Sequence, residues 1–176
     1  MMRRFQATLI LVFFFLSAPC LGQGERRPFV VGSFYPAASA ELSSMVDGFF
    51  TAIPGSAGSP ESPSALIVPH AGYVYSGQTA AYGYARIQNE DVETVVLVGP
   101  YHNAFFPGAS VWTEGDWRTP LGIVKIDAAL AQAVLSEDPS FGFNPAAHST
   151  ERSLETQIPF LQRTLRDFRI VPILIS

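Results

Sequence analysis

The chain has 176 residues, enough for one domain with a buried core. Its formal net charge is −4, with 11 Lys and Arg against 15 Asp and Glu, which gives no electrostatic footing for nucleic acid. Only 15% of residues are charged and 48% are hydrophobic, an imbalance that comes partly from the N-terminus. There, Arg3 and Arg4 precede an apolar run over residues 9–16, and small or turn-forming residues follow at 17–22. This is the layout of a secretory signal peptide. It predicts a signal over residues 1–22 and an exported mature domain, periplasmic or secreted, over 23–176. The apolar run is shorter than the ~20 residues of a spanning helix, and an uncleaved anchor is the alternative. Cys20 is the single cysteine. It is either discarded with the signal or lipid-modified at the cleavage point, and Pro19 before it fits a lipoprotein signal poorly. Either way the mature domain has no disulfide.

Residues 30–36 read as an extended entry segment closed by Pro36. Leu42, Met45, Val46, Phe49 and Phe50 have helical spacing and predict an amphipathic helix over 40–50. Residues 53–64, rich in Pro, Gly and Ser, read as a loop. A short apolar run at 65–68 predicts a buried strand that ends in the turn Pro69-His70-Ala71-Gly72-Tyr73. A helix is expected over 78–87, where Ala80, Ala81 and Gly83 permit close packing. A second buried strand follows at 94–98, ending in Gly99-Pro100-Tyr101-His102. Apolar strands alternating with a helix argue for an α/β fold, with a mostly parallel sheet and helices on both faces.

Beyond His102 a loop leads to residues 109–113, and the stretch 115–122 reads as a turn-rich connection. Residues 123–126 suggest a strand with one wet face, and 128–135 a short helix stopped before Pro139. Leu154, Ile158, Leu161 and Leu165 have helical spacing, with Pro159 as a kink or a first-turn residue. Residues 170–175 predict another buried strand, in which Pro172 is awkward. The sequence stops at Ser176 within this apolar run, which points to an incomplete domain. A C-terminal strand tied into the sheet edge is the alternative.

The chain has three histidines. His70 and His102 each follow an apolar strand, and in open α/β sheets ligands bind outside the carboxyl ends of strands. Taken singly, each is as readily a turn residue. Two of them after neighbouring strands point to a shared metal-binding crevice. Gly72 would let backbone approach a ligand there. Tyr73 and Tyr101, beside the two histidines, are the aromatics singled out for substrate contact. His148 is either a third ligand, a proton shuttle or an exposed loop residue. Glu151 and Glu155 lie one helical turn apart, where they face either the crevice, solvent or a helix N-terminus. Asp116 and Arg118 flank Trp117, as an ion-paired turn or a binding element. There is no phosphate-binding glycine loop, nucleophile elbow or paired-cysteine zinc motif.

Five stretches, at 30–36, 65–77, 95–102, 117–122 and 153–161, together with the Pro-His-Ala-Gly-Tyr and Gly-Pro-Tyr-His pair, resemble the Memo family. Its prokaryotic members are called AmmeMemoRadiSam system protein B. The resemblance implies a fold like the class III extradiol ring-cleaving dioxygenases, which hold non-haem iron(II) through two histidines and a carboxylate and leave positions open for substrate and oxygen. It implies His70 and His102 as metal ligands, iron or copper as the metal, and a dioxygenase-like or other oxidoreductase activity. AMMECR1-type and radical SAM proteins are implied as partners. The chain departs from the family pattern at Arg152, where a histidine is usual. That cation either repels a metal or receives an anionic substrate. Family members continue past the point where this sequence stops, and the third ligand lies in that part, so none is identifiable here. The expected function is therefore a metal-dependent oxidoreductase. The alternatives are a non-catalytic module for a metal, a small molecule or a peptide, and an inactive fragment.

Overall fold

The C-terminal apolar run becomes the strand around which everything else is arranged. The computed structural model describes residues 24–55 and 63–176. The proposed signal peptide lies outside the described residues. Strand β6 (Arg169–Ile175) is buried from Ile170 through Leu174. Its side chains alternate between two cores, as the period-2 geometry of a strand requires. Ile170 and Leu174 face the larger core, and Val171 and Ile173 face a smaller one. Being buried on both faces, the strand reads as an unbroken apolar run.

Strand β1 (Thr94–Pro100) lies parallel to β6 along its whole length. The opposite edge of β6 is shared. Strand β4 (Gly122–Ile126) pairs in parallel with its start, and β2 (Ala109–Val111) runs antiparallel to its end. This division explains how Pro172 is tolerated. The Pro172 carbonyl accepts from the Trp112 backbone N–H at 2.9 Å, on the β2 side. In a strand the nitrogen and carbonyl of one residue point the same way, so the missing donor falls where β4 has ended and β2 has just begun. Strand β3 (Trp117–Thr119) makes a hairpin with β4, and β5 (Phe141–Gly142) pairs in parallel with β2.

Helices cover both faces of this mostly parallel sheet. Helix α1 (Ser39–Thr51) buries Leu42 and Val46, within a residue of the expected bounds. Helix α2 (Tyr73–Tyr84) and α5 (Ile158–Thr164) pack with it on the larger core. Pro159 sits in the first turn of α5, where a missing N–H is harmless. Helix α3 (Ala128–Glu137) covers the other face through Ala131, and its N-cap Asp127 accepts from the Leu130 N–H at 3.0 Å. The short α4 (Pro145–Ser149) begins at N-cap Asn144, which accepts from Ala147.

Three expectations need correction. Residues 65–68 are extended but form no strand, because nothing pairs with their backbone among the described residues. Helix α2 starts at Tyr73, five residues before the expected position, because the Tyr73 N–H is taken up by the Phe34 carbonyl at 2.8 Å and Gly72 caps the first turn. The segment 115–122 is a hairpin strand as well as a turn, and Trp117 in it is 1% exposed. Elements β5 and α4, of two and five residues, are too short to leave a periodic signal.

Candidate metal centre

Two loops meet at the carboxyl end of the sheet. The first is the turn before α2. Pro69 accepts from the Gln157 side-chain amide at 3.3 Å, and the Ala71 carbonyl accepts from Ser76 Oγ at 3.0 Å. His70 is held between these two fixed points. The second loop leaves β1. The Tyr101 N–H continues the β1–β6 ladder by donating to the Ile175 carbonyl at 2.7 Å, and Ser153 Oγ donates to the Pro100 carbonyl at 2.9 Å. Just past His102, the Asn103 amide donates to the Thr150 carbonyl at 3.0 Å.

The loops bring His70 Nε2 to 3.3 Å from His102 Nε2, with ring centroids 5.1 Å apart. His70 is half-buried and His102 exposed, so the nitrogens meet at the surface of a crevice. Burial, the His102 ring and the Arg152 guanidinium all hold the His70 imidazole below its usual pKa. Its neutral form, with a free lone pair, is favoured. Two imidazole nitrogens bound to one ion at 2.0–2.1 Å, at a near-tetrahedral angle, lie about 3.3–3.4 Å apart. The observed separation therefore matches that of two nitrogens on a shared ion, and it is equally that of a direct imidazole–imidazole hydrogen bond. Among the described residues no third His, Cys, Asp or Glu joins them to make a group of three.

The other singled-out residues go elsewhere. Tyr73 is 2% exposed, and its hydroxyl donates to the Thr156 carbonyl at 2.7 Å. It supports the crevice from beneath and does not line its surface. Tyr101 is half-buried against Phe106, with its hydroxyl 3.3 Å from Thr150 Oγ1. His148 is fully buried, not a loop residue in solvent, and its Nε2 lies 3.1 Å from both the carbonyl and the hydroxyl of Ser110. Glu151 and Glu155 are buried too, committed to an internal ion network instead of the crevice or solvent. Arg152 is the one member of that segment whose charge acts on His70. Asp116 accepts from the Ile126 N–H, and Arg118 pairs with Glu25 at the surface. The expected ion pair within the turn is therefore not formed, because the two side chains find separate partners outside it.

Sequence reading missed the residue that organises this network. Arg26 is 3% exposed, stands over the Trp117 ring at 4.4 Å, and reaches both carboxylates. It also donates to the backbone carbonyls of His148 and Glu151, at 3.1 and 3.0 Å. Glu155 in turn accepts from the backbone N–H groups of Phe29 and Val30 and from the Tyr35 hydroxyl. Burial and the Glu155 carboxylate push the Tyr35 hydroxyl far above its usual pKa, so it stays a donor. The network fastens the start of the described chain to the segment behind the histidines. The pairing of Arg26 with acids more than 120 residues away leaves no local sequence signal.

Gly99 sets how closely that segment approaches β1. A Cβ there would lie 2.6 Å from Ser153 Oγ and 2.7 Å from Leu154 Cδ2. Gly99→Ala is expected to lower stability by about 1–3 kcal/mol, read from the midpoint of urea unfolding at unchanged m-value.

An α/β sheet that presents two imidazoles from loops at its carboxyl edge defines a protein built around a two-histidine crevice. The chain belongs to the Memo family, whose model, described as Memo-like protein, matches residues 26–176. It is 42% identical over 158 residues to a MEMO1 family protein of Aquifex aeolicus, covering 86% of this chain and 55% of that one. A MEMO1 family protein of Metallosphaera sedula is 39% identical over 160 residues, covering 86% and 56%. One from Pyrococcus abyssi is 41% identical over 153 residues, covering 84% and 52%. The chain thus spans about half the length of the curated relatives it matches.

Proposed function

We propose that His70 and His102 bind a single transition-metal ion, iron or copper, and that the crevice supports a metal-dependent oxidoreductase reaction of the dioxygenase-like kind. The observation that carries this reading is the 3.3 Å separation of the two Nε2 atoms, made by loops anchored to Gln157, just before α5, and to β6. Such an ion would supply Lewis acidity and a template for a small molecule and oxygen side by side. The protein's own part is more defined. The lowered pKa of His70 favours its neutral, ligating form, and the anchored Pro69 and Ala71 carbonyls hold its backbone in place. Arg152 places a permanent cation beside the crevice, suited to the anionic end of a substrate.

A second reading is a metal-binding module without turnover. It is favoured by the donor count, since two imidazoles alone leave a weak site. Metal uptake by the purified chain tests both. The expected result is one ion per chain, with affinity reduced at least ~10-fold in His70→Ala and in His102→Ala. Uptake unchanged in both variants overturns the metal site. Oxygen consumption by the metal-loaded chain with catechol as the probe supports the enzyme. Metal binding without it supports the module.

A further inference from the structure

Two strand-like edges without partners among the described residues face each other across one cavity. On one side is the outer edge of β1, which among those residues pairs with β6 alone. On the other side are residues 65–68, which are extended and alternate in burial. Leu66 and Val68 pack on the larger core, while Ile67 is wholly exposed. Among the described residues their backbone groups make no hydrogen bond. Between the two edges lies a cavity of about 670 Å³, walled by Leu66, Val68, Val96, Val98, Gln157 and Leu161 among others. Among the described residues no Asp, Glu, Lys or Arg lines it, and His70 stands at its wall.

Unpaired backbone beside exposed apolar side chains is the arrangement that proteins normally cover, because each unmade hydrogen bond and each wet valine is unfavourable. Val96 and Val98 are 49% and 60% exposed on an edge seven residues long. A strand laid between the edges, 4.7–4.9 Å from each, would complete both ladders at once. It would also turn residues 65–68 into the strand their sequence specifies. An ionic ligand finds no counter-charge here, and a small apolar molecule would leave both rows of backbone groups unmet. An apolar polypeptide strand meets both demands.

We propose that this slot receives an extended apolar β-strand, and that the strand comes from the polypeptide the relatives carry outside the matched region. Those relatives are nearly twice as long as the match, so the region has ample length to supply one. The proposal does not depend on a metal at the histidines.

The test mixes the full chain with the polypeptide that makes up the rest of the Aquifex aeolicus relative, and follows backbone hydrogen exchange. The expected result is slower exchange, by at least ~10-fold, at backbone N–H groups of residues 94–99 and 65–68 together. Binding should weaken at least ~10-fold in Val96→Lys/Val98→Lys, where both side chains are already exposed and the chain's own urea midpoint stays put. Exchange unaltered by the added polypeptide overturns the proposal. So does protection of only one of the two edges. So does protection that appears without the polypeptide and rises with chain concentration alongside a dimer, which would make a second copy the occupant.

Discussion

Replacing Arg26 by methionine is expected to lower stability by about 3–5 kcal/mol, the range for breaking a buried ion pair from one side. The substitution keeps much of the side-chain volume under Trp117 but leaves Glu151 and Glu155 buried without their cation. The deficit should depend on pH, and its direction follows from Glu151. Burial already raises that carboxyl to about 7 despite the Arg26 charge, which pulls the other way. A carboxyl raised in the folded state holds a proton that the unfolded chain has released. Its contribution is therefore fully present below pH 4.5 and is lost as pH rises toward 7. Without Arg26 the folded value climbs further, and the window of loss extends above 7. The variant should accordingly be weakest relative to the parent near pH 8 and recover part of the difference at pH 5, measured by urea unfolding at both. An equal deficit at the two pH values would show that lost packing on Trp117, and not the uncompensated charge, is what the arginine prevents.

The network matters beyond stability because of what it holds. It joins residues 26–35 to residues 148–155, and Ser153 in that second stretch fixes the Pro100 carbonyl two residues before His102. Phe34 in the first stretch fixes the Tyr73 N–H, three residues after His70. The two loops that converge at the histidines are thus braced from the same buried cluster. A loose cluster would widen the Nε2 separation, which is the geometric condition for sharing an ion.

How much of this was legible in the sequence follows from the range of each interaction. The strand at 170–175 announced itself because burial on both faces writes a continuous apolar run into the chain, and the strand at 94–98 carries a like run although Val96 and Val98 are exposed. The histidine pair was legible because each imidazole sits a fixed distance past an apolar run, although only the run before His102 forms a paired strand among the described residues. Residues 65–68 carry an equally strong apolar run, yet a strand is a property of two chains' backbones, and the second is missing from the described residues. The roles of Arg26, Glu151 and Glu155 were not legible. Charged residues are rarely buried, and nothing local distinguishes a glutamate facing solvent from one that an arginine meets from across the molecule. His148 was misjudged on the same ground. A histidine in a polar stretch reads as a loop residue until the helix that buries it is seen.

That buried histidine gives the second large effect. His148 Nε2 donates to Ser110, which leaves Nδ1 as an acceptor with no partner among the described residues. Protonation would place a new N–H there with nothing to receive it and a charge near Arg26. Burial first, and Arg26 after it, hold the pKa down to about 4, against an upward pull from the Ser110 bond. With the folded value depressed, the unfolded chain takes up the proton first on acidification. The resulting stability is fully present above pH 6.5 and is lost as pH falls toward 4, by about 3 kcal/mol across the window. Glu151 titrates over nearly the same range with the opposite slope, so the parent's profile between pH 4.5 and 6.5 should be comparatively flat. His148→Gln keeps an amide donor for Ser110 and removes one of the two opposing titrations. The variant should become less stable as pH rises from 4.5 to 7, the slope that belongs to Glu151 alone, as read from urea midpoints at half-unit intervals. Parallel profiles for parent and variant would mean that His148 does not change its proton occupancy on folding, and that the balance between the two buried groups does not exist.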